Sequence, residues 1–226
     1  MTRGWVKEGW AALQMGWDVE AAGLATRALD AARTDAARAE ALDLLAWTDL
    51  AQGSPSHALS HVGQVPGKRA RALTWALALE AEGRPAEELP HAQAALDREP
   101  TDTSAAVLVR VLLAVGRSDE AARLVSGHPW TDAVPRARAE GAVALARSDH
   151  GSAIDSFQRA FQQAGSAEDA RQAARAMVRG GQSARATAWL GELAGRGVTA
   201  EGDPELERVL LGSGSRSCVR QPVAPR

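Results

Sequence analysis

One cysteine, two phenylalanines and no tyrosine stand among 226 residues. The single cysteine, Cys218, excludes a disulfide within the chain and points to a reducing compartment, the cytoplasm. With so few aromatic rings of the phenyl type, the core must be thin and rest on leucine, valine, alanine and the seven tryptophans. β-Branched residues are sparse and alanine is abundant, which favours helix throughout. Lysine is nearly absent, with two against twenty-four arginines. A GC-rich genome explains that bias without phosphate recognition. A formal net charge of −2 and a pI near 6.2 give no general nucleic-acid or membrane footprint. No stretch approaches the roughly 20 apolar residues of a membrane span. Residues 1–18 carry charges and tryptophans at helical spacing, without the apolar run of a signal peptide. These absences predict a protein with no cofactor, no membrane insertion and no nucleic-acid partner.

What the chain does contain is a repeat. A turn residue falls at Gly16, Gly53, Gly83, Gly116, Ser148 and Gly181, at intervals of 37, 30, 33, 32 and 33 residues. Seven residues before each stands Gly9, Ala46, Ala76, Val109, Gly141 or Ala174. Five residues after each comes Ala21, Ala58, Glu88, Ala121, Ala153 or Ala186, and four further on Ala25, Val62, Ala92, Val125, Phe157 or Leu190. Small and large positions in register at such a period mark stacked helical hairpins. Two antiparallel helices approach within roughly 8–10 Å only where small side chains line the contact. A hairpin alone cannot bury its apolar face, so its neighbours must stack on it.

The pattern resembles the tetratricopeptide repeat family, whose signature is W-x2-L-G-x2-Y, then A-x3-F, then P. Repeat one offers Trp5, Gly9, Gly16, Ala21 and Ala28-Leu29; repeat three Trp75, Ala76, Gly83, Ala95-Leu96 and Pro100; repeat five Gly141, Ala153, Phe157 and Ala160-Phe161. The resemblance spans residues 2–198. It departs at the tyrosine position, filled by Ala12, Asp49, Leu79, Leu112, Ala144 or Met177, and at Glu88, which replaces the packing alanine. It implies an all-α, right-handed helical-hairpin solenoid of about six repeats.

Along the chain, helices are predicted near 3–15, 18–32, 36–51, 55–64, 68–82, 85–98, 102–115 and 118–126, with repeats five and six over 135–164 and 167–195. Thr2 and Asp18 suit N-caps, and Pro55 and Pro85 suit first turns. Pro90 should kink its helix or delay the start to Leu89. Val65-Pro66-Gly67 ends repeat two. Leu206, Val209 and Leu210 lie at i, i+3 and i+4 on a short helix from Pro204 to Leu211, which should cap the last hairpin. One domain, 1–211, is thus expected, followed by a disordered tail, 212–226.

No constellation of catalytic residues emerges. His57 and His61 have metal-binding helical spacing but no third ligand nearby in sequence, and Cys218 has no adjacent histidine to activate it. The chain is read as a non-enzyme. What the resemblance implies is a concave groove, lined by the first helix of each hairpin, that binds a partner protein segment. The matching positions are Val6, Trp10, Leu13, Asp43, Trp47, Leu50, Leu73 and Leu77 in the first three repeats. Arg110, Arg138, Arg171, Arg175 and Arg179 occupy them in the last three, with Glu40 and Glu80 at the edges. Trp10 and Trp47 are expected to be exposed, Trp5 and Trp75 to face inward. Apolar anchors would then meet one end of the partner segment and arginines an acidic end. The carboxylate clamp of some family members is not expected, since Val6, Trp10, Leu44, Ala70 and Thr74 fill its positions. Self-association and RNA binding along the arginine stripe are the alternative readings. Neither the partner's identity nor the oligomeric state follows from the sequence.

Overall fold

The computed structural model describes residues 2–65 and 71–214, with side chains up to Leu211. The expected stop at Pro66-Gly67, the predicted helix start at Lys68, the Ala70 position, and the tail from Ser215 onward with Cys218 lie outside the described residues. Among the described residues every regular element is helical. The chain forms two compact units, Met1–Arg117 and Ser118–Arg226, whose boundary in sequence follows the turn of repeat four.

The first unit contains α1 (Thr2–Gln14), α2 (Asp18–Asp30), α3 (Asp35–Ala51), α4 (Pro55–Gly63), α5 (Ala72–Ala81), α6 (Pro85–Arg98) and α7 (Asp102–Ala114). Each helix packs on the next, and α1, α3, α5 and α7 also pack in succession on one another. The second unit contains α8 (Ser118–Gly127), α9 (Ala133–Ala146), α10 (His150–Ala164), α11 (Ala167–Arg179), α12 (Ser183–Leu193), a 3₁₀ turn at Ala194–Arg196 and α13 (Pro204–Gly214). Helix α13 packs on α11 and α12 as the expected cap and runs three residues beyond the predicted end.

The turns explain the regularity. Gly16, Gly53, Gly83, Gly116, Ser148 and Gly181 all have φ between 60° and 79°. Ser148 is the one non-glycine in that region among the described residues. The next residue's N–H then reaches back to a carbonyl five positions earlier. Trp17, Ser54, Arg84, Arg117, Asp149 and Gln182 donate to Ala12, Asp49, Leu79, Leu112, Ala144 and Met177 at 2.7–3.0 Å. This is the 6→1 bond of a Schellman closure, made by left-handed backbone at C′. The acceptors are the six residues at the variable tyrosine position. The turn uses their backbone oxygen, so it places no demand on the side chain there.

Small residues lie where the helices meet. The six positions seven before the turn, and the six positions five after it, are all buried. A Cβ on Gly9 would stand 2.5 Å from Leu44 Cδ2, and one on Gly141 would stand 3.0 Å from the Phe157 ring. In the second unit one core runs through Ile154, Phe157, Phe161, Met177, Leu190 and Leu206. In the first unit, clusters form around Leu42 and Leu44, around Ala46 and Val62, and around Val6 and Ala41.

Three expectations need correction. Pro90 lies inside α6, which starts at Pro85 rather than Leu89. Proline removes only the one bond that its N–H would have made to the Ala86 carbonyl, in the second turn, and packing on α5 and α7 holds the rest. Asp18 is the first helical residue of α2, with Trp17 at the N-cap, and contributes as a first-turn acid instead. Thr2 is already helical and is no N-cap. Pro55 and Pro85 stand in their first turns as expected.

Candidate functional site

In the first unit the first-helix positions converge on a polar relay inside an apolar surface. Helix α3 carries Asp43 and Trp47 one turn apart, and α5 brings Thr74 against both. The Trp47 indole N–H donates to Thr74 Oγ1 at 3.2 Å, and the Thr74 hydroxyl donates to Asp43 Oδ1 at 2.6 Å. Arg71 Nε lies 3.1 Å from Asp43 Oδ2. That pair is a charge contact rather than an aligned hydrogen bond, since Oδ2 is buried without one. Burial pushes the Asp43 carboxyl above its usual range, while Thr74 and Arg71 pull against it. The relay fixes the Trp47 ring, and Trp10 from α1 meets it edge-on, with centroids 6.0 Å apart and planes at 67°.

Beside the Trp47 ring opens a cavity of about 310 Å³. Leu73, Ala72, Thr74, Ala95 and Ser104 form the rest of its wall, with Arg71, Arg98, Glu99 and Thr101 at the rim. Its floor is firm because Thr101 and Ser104 cap α7 reciprocally, and Ser104 Oγ also donates to the Glu99 carbonyl at 2.6 Å. A volume near 300 Å³ lies at the small end of ligand pockets and suits one or two side chains of a peptide.

The other predicted groove residues divide. Trp10 and Trp47 are half-buried rather than exposed, as are Trp5 and Trp75, the latter stacked on His91 at 5.2 Å. Leu13, Leu50, Leu73 and Leu77 are half-buried. Val6 is buried among Ala28 and Ala41, because α1 turns that face onto its neighbours. Asp43 is likewise buried, as an internal hydrogen-bond acceptor. Glu40 borders a smaller cavity of about 210 Å³ with Asp43, Val65 and Arg71.

The arginines are engaged. Arg110 grips Glu80 through two bonds of 2.5 and 2.7 Å, from α7 to α5. In the second unit Arg138 grips the buried Asp169 at 2.7 and 2.8 Å, from α9 to α11. Arg175 donates to Asp203 at 2.6 Å and to Glu168 at 3.0 Å. Arg171 pairs with Glu168 and Arg179 with Glu205. The expected basic stripe exists as geometry, but each of its charges is answered by a carboxylate. Its function in the fold is to tie one first helix to the next and α11 to the cap.

Reading the sequence missed Arg71, Thr74, Arg98 and Ser104. Thr74 left a signal, as the one polar residue in the first seven of ALTWALA on α5. Thr101 and Ser104 left the spacing of a capping box. His61 Nδ1 lies 2.6 Å from Asp49 Oδ2, and His57 is exposed on the same helix. Among the described residues no group of three or more metal-type ligands forms.

No family model matches the sequence, and no curated protein matches it. Among solved structures, a tetratricopeptide repeat protein from Parabacteroides merdae superposes with a TM-score of 0.66 at 12% identity, covering 96% of this chain and 88% of that one. The likeness shows the fold. The chain is an all-α solenoid of the tetratricopeptide repeat type, as the turn spacing and the hairpin positions lead one to expect.

Proposed function

We propose that the protein is a non-catalytic, cytoplasmic interaction scaffold that holds a segment of a partner protein on the first-helix face of its first unit. The observation that carries this reading is the cavity beside Trp47. It combines an apolar wall from Trp47 and Leu73 with a hydrogen-bonded floor that is fixed before anything binds. A preformed site spares a ligand the cost of ordering it. An apolar side chain seated there contributes roughly 1.5–3 kcal/mol, and the peptide groups around it meet Arg98, Glu99 and Thr101 at the rim. The partner contacts therefore centre on Trp47, Leu73, Leu77 and Trp10. The arginines of the second unit serve the fold and not the partner. That removes the observation that favoured RNA.

Capture from a lysate, followed by a binding titration of the recovered partner against Leu73→Asp, tests the proposal. Loss of binding with an unchanged denaturant melt supports it. Full binding by Leu73→Asp places the partner elsewhere.

One observation favours self-association as a second reading. Met15, Trp17 and Val19 at the α1–α2 turn are 66%, 55% and 82% exposed. Mass by light scattering over a concentration series, repeated for Trp17→Ser, decides it.

A further inference from the structure

The position five residues after the turn is alanine in five repeats and glutamate, Glu88, in repeat three. Glu88 is only 2% exposed, as closely enclosed as the alanines, and its Oε1 has no hydrogen-bond partner. Two helices pack against α6, and each brings one charge to it. Helix α5 brings Glu80 and α7 brings Arg110. The guanidinium of Arg110 is already held on Glu80 through both Nε and Nη2. On α6 itself, Arg84 and Glu87 pair with each other in the exposed first turn, and His91 stacks on Trp75. Two carboxylates thus share one cation, and the enclosed one is left over.

We propose that Glu88 makes the α5–α6–α7 stack a proton-controlled latch. Protonated, the carboxyl is neutral, and the helices close over it as they close over alanine elsewhere. Ionised, it must reach water or draw Arg110 away from Glu80, and either route loosens α6 from α5 and α7. An unpaired buried charge is among the costliest groups a fold encloses, so loss of the proton favours the open arrangement. Burial first, and then repulsion from Glu80, lift the Glu88 carboxyl from its ordinary value of 4.5 to about 7, with Arg110 opposing. The folded chain therefore keeps a proton that the unfolded chain has lost. The stabilisation is complete below 4.5 and is lost as pH rises through about 7. The latch does not depend on what the cavity binds. If the cavity takes a partner segment, the end of α6 supplies Ala95 and Arg98 to it, and opening deforms that wall.

Hydrogen exchange on the intact chain, read by mass spectrometry at pH 6 and pH 8 and corrected for intrinsic exchange chemistry, tests the latch without any partner. Amides of α6 in the wild type should lose protection by about tenfold between pH 6 and pH 8, most of it below about 7, and should lose no more at higher pH. Glu88→Ala restores the residue of the other repeats, so it should fold, and its corrected protection should not change with pH. Glu88→Gln should behave in the same flat way. In Glu80→Gln the repulsion is gone and Arg110 is released to Glu88, so the carboxyl should titrate lower and the loss of protection between pH 6 and pH 8 should shrink. His91→Gln separates the nearest other titrating group and should leave the transition in place. Equal pH dependence in the wild type and Glu88→Ala overturns the proposal, as does a transition that disappears with His91.

Discussion

The two units use one hairpin design and share ionic ties between first helices, Arg110 to Glu80 in the first unit, but differ in what else holds those helices together. In the second unit the ties are ionic, with Arg138 on Asp169 and Arg175 on Asp203. In the first unit the tie between α3 and α5 is the relay from Trp47 through Thr74 to Asp43, flanked by Trp10. The cores differ in the same sense. Two phenylalanines and Met177 anchor a cluster in the second, while the clusters around Leu42, Leu44 and Val62 in the first contain no phenylalanine. A relay of neutral donors leaves room beside an aromatic ring, and that room is the cavity. The ionic ladder fills its face with its own countercharges. The difference sets the cavity beside Trp47 against a relay of neutral donors, and the first-helix arginines of the second unit against their own carboxylates.

The largest effect that sharpens this comparison is at the core. Phe157→Ala should cost about 3–5 kcal/mol, because its ring fills the space above Gly141 and a cavity remains. Val62→Ala in the first unit removes less and should cost about 1–3 kcal/mol. Urea melts measure both, with Trp189 beside Phe161 as the reporter for the second unit. Equal costs would mean that the Phe157 ring contributes no more than a valine and that its contact with Gly141 is not close-packed.

Reversal of one arginine comes next. Arg175→Glu leaves Asp203 buried and faces it with a like charge, which should cost about 3 kcal/mol. Burial pushes the Asp203 carboxyl up, but the Arg175 bond and the N–H groups of Leu206 and Glu205 outweigh it and hold it below 3.8. Its contribution is therefore present above that value and lost as pH falls through the lowered one. Asp203→Asn should flatten this part of the acid limb of the stability curve. A wild-type curve and an Asp203→Asn curve that run parallel below pH 4 would remove the ionic tie from the account of the cap.

The relay offers the matching test in the first unit. Thr74→Val keeps the shape but strands the Asp43 carboxylate and the Trp47 N–H, at a cost of about 1.5–3 kcal/mol. The Asp43 carboxyl, already raised by burial, should rise further, which carboxyl-resolved NMR titration would show. A carboxyl that stays in place would make Thr74 a packing residue only.

How much of this was legible depended on whether a residue acts through its backbone or through a distant partner. The turns were legible because left-handed φ selects glycine, and six such residues fell at one period. Ser148 was legible only through that period. The tyrosine position looked like a departure because its side chain varies, although its carbonyl is what the turn uses. The burial of Val6 was not legible, because family position says which helix face a residue shares, not how closely the next helix covers it. The carboxylate partners of the arginines were hidden for a related reason. Partners of Arg138, Arg175 and Arg179 lie 26–31 residues onward and that of Arg110 lies 30 residues back, where a search of neighbouring sequence does not look. Glu168, by contrast, stands within one or two turns of Arg171 and Arg175. Counting one period onward from Arg138 would have found Asp169.

The smallest effect concerns the exposed end of the ladder, and it tests whether pairing or burial gives the ladder its strength. Arg179 and Glu205 meet at 3.0 Å, but Arg179 is exposed and Glu205 only half-covered, unlike the enclosed Asp169 and Asp203. In that setting water and salt screen the charges, and ordering two long side chains offsets part of the attraction. A double-mutant cycle with Arg179→Ala and Glu205→Ala should return a coupling of about 0.2–1 kcal/mol, shrinking toward zero in 1 M salt. The corresponding cycle on Arg138 and Asp169 should keep a larger coupling, because the carboxylate is buried and its geometry is bidentate. If both cycles return the same small number, burial adds nothing, and the ladder is an ordinary solvated surface. If the outer pair matches the inner one at high salt, both arginines are structural to the same degree. Arg179 would then be as costly to remove as Arg138, and the closed character of this face would extend to its edge.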